Sequence, residues 1–147
     1  MNHLFFFVFL FWLSFVLAKL EIQIEGKFGW AEKAPTWKLP REHWMSRIIF
    51  GGKPATGYHV WLNVFILSFL HMTFLFMPFN MAIEIKLIAF FIMFWVLEDF
   101  LWFVFNPDFG LKNFKADKIW WHKESWWRIA PKQYFIFVPI GIILYLI

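Results

Sequence analysis

Four apolar runs, 4–18, 60–79, 82–105 and 134–147, alternate with two segments that hold thirteen of the fourteen Lys and Arg residues, Lys19–Lys53 and Lys112–Lys132. A helix rises about 1.5 Å per residue, so about 20 apolar residues cross a ~30 Å hydrocarbon core. The second and third runs are long enough alone; the first and fourth are short and need a thinned bilayer or polar flanks that reach inward. This alternation predicts an all-α integral membrane protein. Four transmembrane helices form a single domain, 1–147, with two Trp-rich interfacial segments, 19–58 and 106–133.

Composition supports that class. The chain is 61% hydrophobic and 25% aromatic, more than a soluble domain of 147 residues can hide. The net charge of +4 sits in segments that flank apolar runs, so membrane topology and anionic headgroups account for it, and no nucleic-acid partner is expected. The absence of cysteine removes disulfides, thiolate metal sites and a thiol nucleophile.

Basic loops stay cytoplasmic, which places both basic segments on that side and both termini on the other. The expected location is a multi-pass membrane protein of a bacterial-type inner membrane or its equivalent. Val16-Leu17-Ala18 also resembles the end of a cleavable signal peptide. Met1-Asn2-His3 lacks a basic side chain, however, and cleavage would export seven basic residues. A retained first helix is expected instead.

The two segments hold seven of the eleven Trp, a residue that prefers the headgroup level. Both should lie in the interface. Pro40–Phe50 reads as a short amphipathic helix stopped by Gly51-Gly52. Glu21–Glu25 alternates as a five-residue strand would.

Glu98-Asp99 is the sharpest candidate for chemistry. An acid within an apolar helix costs roughly 2.5–3.5 kcal/mol on insertion scales and marks a functional site by default. Neighbours diverge by about 100° around a helix, so one acid can be functional while the other is structural. The short Pro78–Met81 turn implies an antiparallel hairpin of runs two and three. Matching heights across it puts Asn63 level with Glu98 and His59 level with Trp102. His59 and Asn63, four apart, share a face. The resulting polar cluster contains His59, Glu98 and Asp99 as catalytic candidates. Asn63, Trp102, His122, Tyr58 and Asn106 are its candidate ligand-binding residues. Gly51–Gly57 lacks the phosphate-loop pattern but precedes a helix start, where Lys53 and Thr56 would offer donors to a lipid phosphate.

These residues predict a polar pocket at the cytoplasmic interface that binds or acts on a membrane amphiphile, a lipid or isoprenoid-like molecule. One alternative is a metal-dependent or acid–base membrane enzyme, with His59, Glu98 and His122 holding a metal or moving protons. Another is a non-catalytic subunit whose exposed faces meet a membrane-protein partner or a second copy. No motif specifies a cofactor or names the metal.

Overall fold

The computed structural model describes residues 2–147 as a helical fold with five α-helices. These are α1 (His3–Glu25), α2 (Trp44–Ile48), α3 (Gly57–His71, continued by a 3-10 turn Met72–Leu75), α4 (Met81–Phe105) and α5 (Lys132–Leu146). The stretches His3–Glu25, Gly57–Leu75 and Met81–Phe105, of 23, 19 and 25 residues, are long and apolar enough to cross a membrane. They fit a multi-pass membrane protein.

The helices run up, down, up and down. Tyr58 and His59 at the start of α3 touch Glu21 and Glu25 at the end of α1. Tyr134 at the start of α5 donates to Asp99 near the end of α4. At the opposite end His3 bonds Tyr145, and the Phe6 ring packs on both Phe90 and Tyr145. Both basic connections therefore gather at one end of the bundle, with the Asn80 turn at the other.

Helix α4 is the central element, flanked by α1 and α5. Small residues allow the close approach. Ser14 and Ala18 of α1 and Ala89 of α4 are fully buried, and the Ser14 hydroxyl donates to the Phe94 carbonyl at 3.3 Å. On α5, Gly141 lies where an added Cβ would sit 2.5 Å from Met93 Cγ. The expected α3–α4 hairpin is only loosely packed, held near its turn by a His71 Nε2–Glu84 Oε1 contact of 3.1 Å; at its other end α3 is bonded to α1.

Several predicted boundaries are corrected. Helix α1 does not end at Ala18. No Gly or Pro interrupts the chain before Gly26, and Lys19, Glu21, Gln23 and Glu25 tolerate a helix well. The helix stops at Gly26, whose φ of 59° suits glycine. The Glu21–Glu25 strand reading falls with it. Helix α3 starts at Gly57 because the Thr56 side chain accepts the His59 N–H. Its α-helical part stops at His71, well short of residue 79, where Pro78 bars any continuation.

The two connections are not simple interfacial loops. Segments 26–56 and 106–131 fold together over the bundle end and share a core of Trp30, Phe50, Ala55, Ile119 and Trp121 with Leu101–Phe103 of α4. Gly29, at φ +65°, lets the Trp121 ring lie where a Cβ would be, 2.3 Å from it. The Pro40–Phe50 helix shrinks to α2, with His43 as its N-cap. Trp44 and Ile48 on α2, 58% and 78% exposed, do face outward, as an interfacial anchor would. A two-residue hairpin, β1 (Trp126–Trp127) against β2 (Ala130–Pro131), leads into α5.

Candidate functional site

The cap and the helix ends enclose a cavity of about 260 Å³. Glu21 and Glu25 come from α1, His59 and Asn63 from α3, Glu98, Asp99 and Trp102 from α4, and Gln133 and Tyr134 from α5. The cap supplies Trp30, Lys53 and His122. Toward the middle of the bundle the wall becomes apolar, with Phe91, Ile92, Trp95, Val96 and Phe137. The cavity therefore has one polar end and one greasy end.

Asp99 is a saturated node. Its Oδ2 takes His122 Nε2 at 3.1 Å and the Tyr134 hydroxyl, while Oδ1 faces Lys53 Nζ at 3.7 Å. One carboxylate thus joins α4, α5 and both cap segments. Burial holds the His122 imidazole below the usual histidine range; Asp99 opposes this and Lys53 reinforces it. His122 Nδ1 lies 3.4 Å from Ser125 Oγ, but that hydroxyl already donates to the His122 carbonyl at 3.1 Å. Ser125 does not line the cavity, so the Ser–His–Asp sequence of contacts closes a turn and presents no nucleophile.

Glu25 organises the opposite wall. Its carboxylate accepts the N–H groups of Trp30 at 3.0 Å and Ala31 at 2.5 Å. Both residues have positive φ, 48° and 50°, a conformation that costs a side-chain-bearing residue about 1–2 kcal/mol; the two hydrogen bonds to the Glu25 carboxyl offset it. Trp30 is thereby fixed as a platform. His59 stacks on it with ring centroids 3.9 Å apart, and Lys53 Nζ lies 3.9 Å from its centroid. His59 is occupied elsewhere as well, with Thr56 Oγ1 at 2.7 Å and Glu25 Oε1 at 3.6 Å.

Glu98 is different. Its carboxyl meets that of Glu21 across the α1–α4 interface, and Glu21 also accepts the Tyr58 hydroxyl at 3.1 Å. Two carboxyls this close need a proton or a donor group between them. Glu98 is only 3% exposed, and its Oε1 has no hydrogen-bond partner. Three more buried polar atoms without partners, Trp95 Nε1, Trp102 Nε1 and Gln133 Oε1, also belong to residues lining this cavity. Buried polar groups are nearly always satisfied, and these four atoms leave unused donors and acceptors in the side chains that line one cavity.

Of the residues expected from sequence, His59, Asn63, Glu98, Asp99, Trp102 and His122 line the cavity; Tyr58 and Asn106 do not. Tyr58 acts through Glu21. Asn106 closes α4, donating to the Gly26 carbonyl at 2.9 Å and accepting from Asp108 N–H at 3.0 Å. His59 and Glu98 face the same cavity without bonding each other. Among the described residues no three His, Asp or Glu side chains converge as metal ligands. Lys53 and Thr56 point to Asp99 and His59, not to an outer phosphate. Glu21, Glu25, Trp30, Trp95, Gln133 and Tyr134 are site residues that sequence reasoning did not find. The spacing of Glu21 and Glu25, four apart on an unbroken helix, was the available sign for the first two. No known protein family, curated protein or solved structure matches the chain.

Proposed function

We propose that this chain is a single-domain, four-span membrane protein whose cavity holds the hydroxyl-bearing head of a membrane amphiphile. The observation that carries the reading is the set of unpartnered atoms. Two indole N–H groups need an acceptor, and a carboxyl and an amide oxygen need a donor. A phosphate or carboxylate accepts without donating, and an ammonium donates without accepting. A hydroxyl does both. The one lysine lining the cavity, Lys53, already faces Asp99 at 3.7 Å, which further disfavours an anionic head. The cavity is slightly smaller than the ~300–1,000 Å³ of drug-sized ligand sites, enough for a polar head and the first carbons. The tail would leave along Phe91, Ile92 and Phe137 into lipid, beside the loosely packed α3. A lipid alcohol, isoprenoid or glycerol-based, has this layout.

The membrane arrangement belongs to the same proposal. Helix α5 has 15 residues, roughly 22 Å of rise, yet its ends meet the same two bundle ends as α1. It is therefore read as a short fourth span, and α1 as a retained one. Basic clustering puts the cap in the cytoplasm. Reporters inserted near Lys33 or Lys115 should then read inside and one after Ile147 outside.

The ligand reading is tested by mass spectrometry of lipid co-purified in mild detergent. A neutral lipid alcohol should be retained by the native protein. It should fall several-fold in Trp102→Phe, which keeps an aromatic side chain and loses the N–H, and in Glu98→Leu. Equal retention by all three proteins would refute it.

A further inference from the structure

A second, larger space of about 490 Å³ lies outside the first, between α2 and the start of α5. Gly51, Gln133 and Phe137 border both spaces, and a Gln133 Nε2 to Gly51 carbonyl bond of 2.8 Å divides them. The charge character changes across that partition. The inner cavity is acidic, whereas the outer groove carries Arg41, Arg47 and Lys132 against Glu42 and Glu124.

Not all of these charges are available. Arg41 is engaged, with Nη1 at 3.2 Å from Glu124 and Nη2 donating to the Trp120 carbonyl at 2.8 Å. Among the described residues, Arg47 and Lys132 have no acidic partner. They flank the groove from opposite sides, and the first turn of α5 at its edge has no side-chain cap. Its N–H groups add a positive end to the same space. Below the cations the groove continues onto Ile136 and Phe137, exposed on α5. Cations above an exposed apolar helix face reproduce the order of a phospholipid, phosphate above acyl chain. Free phosphate would have no use for that apolar floor.

We infer that the groove between α2 and α5 is a binding site for the phosphate of an anionic membrane phospholipid, with Arg47 and Lys132 as its ligating cations. It adjoins the inner cavity across the Gln133–Gly51 bond, and its cations, Arg47 and Lys132, are not part of that cavity's lining, so it stands whether or not the cavity holds a lipid alcohol.

The test is binding of phosphatidylglycerol to the full chain in mild detergent, followed by native mass spectrometry, with diacylglycerol as the uncharged comparison. Phosphatidylglycerol should bind and diacylglycerol should not occupy this groove. Near a membrane surface the attractions of successive basic residues for anionic lipid add together. Arg47→Gln with Lys132→Gln should therefore weaken phosphatidylglycerol binding roughly tenfold or more. Both side chains are exposed, so the fold should persist, which an unchanged unfolding temperature would verify. Glu42→Gln removes the remaining unpaired acid and should tighten binding. Glu98→Leu, in the inner cavity, should leave it unchanged. Unaltered binding in the double variant, a loss that follows Glu98→Leu instead, or displacement by millimolar inorganic phosphate would each overturn the assignment.

Discussion

Replacing Asp99 by alanine should unfold the cap from the bundle, because one carboxylate holds four chain segments together. The substitution removes the acceptor for His122 Nε2 at 3.1 Å and for the Tyr134 hydroxyl, and the counter-charge for Lys53 at 3.7 Å. The Asp99 and Lys53 side chains are 17% and 15% exposed, so water replaces these contacts poorly. A hydrogen bond to a charged group contributes about 1.5–3 kcal/mol, and the three contacts share one carboxylate, so they do not add. Removing one partner of a largely buried ion pair costs about 3–5 kcal/mol. That range is the expected loss. Asp99→Asn keeps one oxygen for Tyr134 and should lose roughly half as much. The assay is reversible unfolding in mild detergent, followed by near-ultraviolet circular dichroism of the packed Trp residues. Glu98→Gln supplies the comparison. Glu98→Gln keeps the side-chain shape at a position with an unpartnered oxygen and should lose less stability than Asp99→Ala. If Asp99→Ala were no less stable than Glu98→Gln, the division into a structural Asp99 and a ligand-facing Glu98 would be wrong.

Three further outcomes follow from single features. Gly29→Ala combines a positive φ with a Cβ 2.3 Å from the Trp121 ring, whereas Gly26→Ala has a positive φ and nothing within 4 Å; denaturation should show the former less stable by about 1–3 kcal/mol more. Because burial lowers the His122 pKa, the unfolded chain binds that proton more readily. The His122 contribution to stability should be present above about pH 6.5 and lost as pH falls below it, and His122→Gln should flatten that part of the unfolding-temperature profile. Shallow lipid-attached quenchers should reach Trp44 and Trp127, 58% and 48% exposed, but not Trp121, 3% exposed. Trp44→Phe with Trp127→Phe should therefore remove far more of the quenchable emission than Trp121→Phe does.

Sequence and structure agree best where helix signals are local. Helix α4 begins within one residue of its expected start because Asn80 caps it, and it ends at the Asn106-Pro107 break. Helix α1 was cut short because hydropathy changes at Lys19 while backbone preference does not change until Gly26. That error hid Glu21 and Glu25, and with them the true neighbour of Glu98. Height matching across the α3–α4 turn sets Asn63 beside Glu98 and His59 beside Trp102, and all four residues line one cavity. It could not reveal that α4 packs on α1 and α5, since the small residues Ser14, Ala18 and Ala89 carry no charge pattern. Trp presents the same signature whether it anchors at lipid headgroups or fills a core, so Trp30 and Trp121 read alike with Trp44 and Trp127. Tyr134 and Gln133 reach the site only through the return of the chain in α5, a long-range pairing that no local spacing encodes.

The most direct measurement is an experimental density map of the protein reconstituted with its native lipids, inspected in the cavity of about 260 Å³ beside Glu98. The proposed function predicts continuous density there, with a head atom in hydrogen-bonding reach of both Glu98 Oε1 and Trp102 Nε1 and a tail running past Phe91 and Phe137. A collapsed cavity, in which these unpartnered atoms bond one another and leave no room for an occupant, would contradict it.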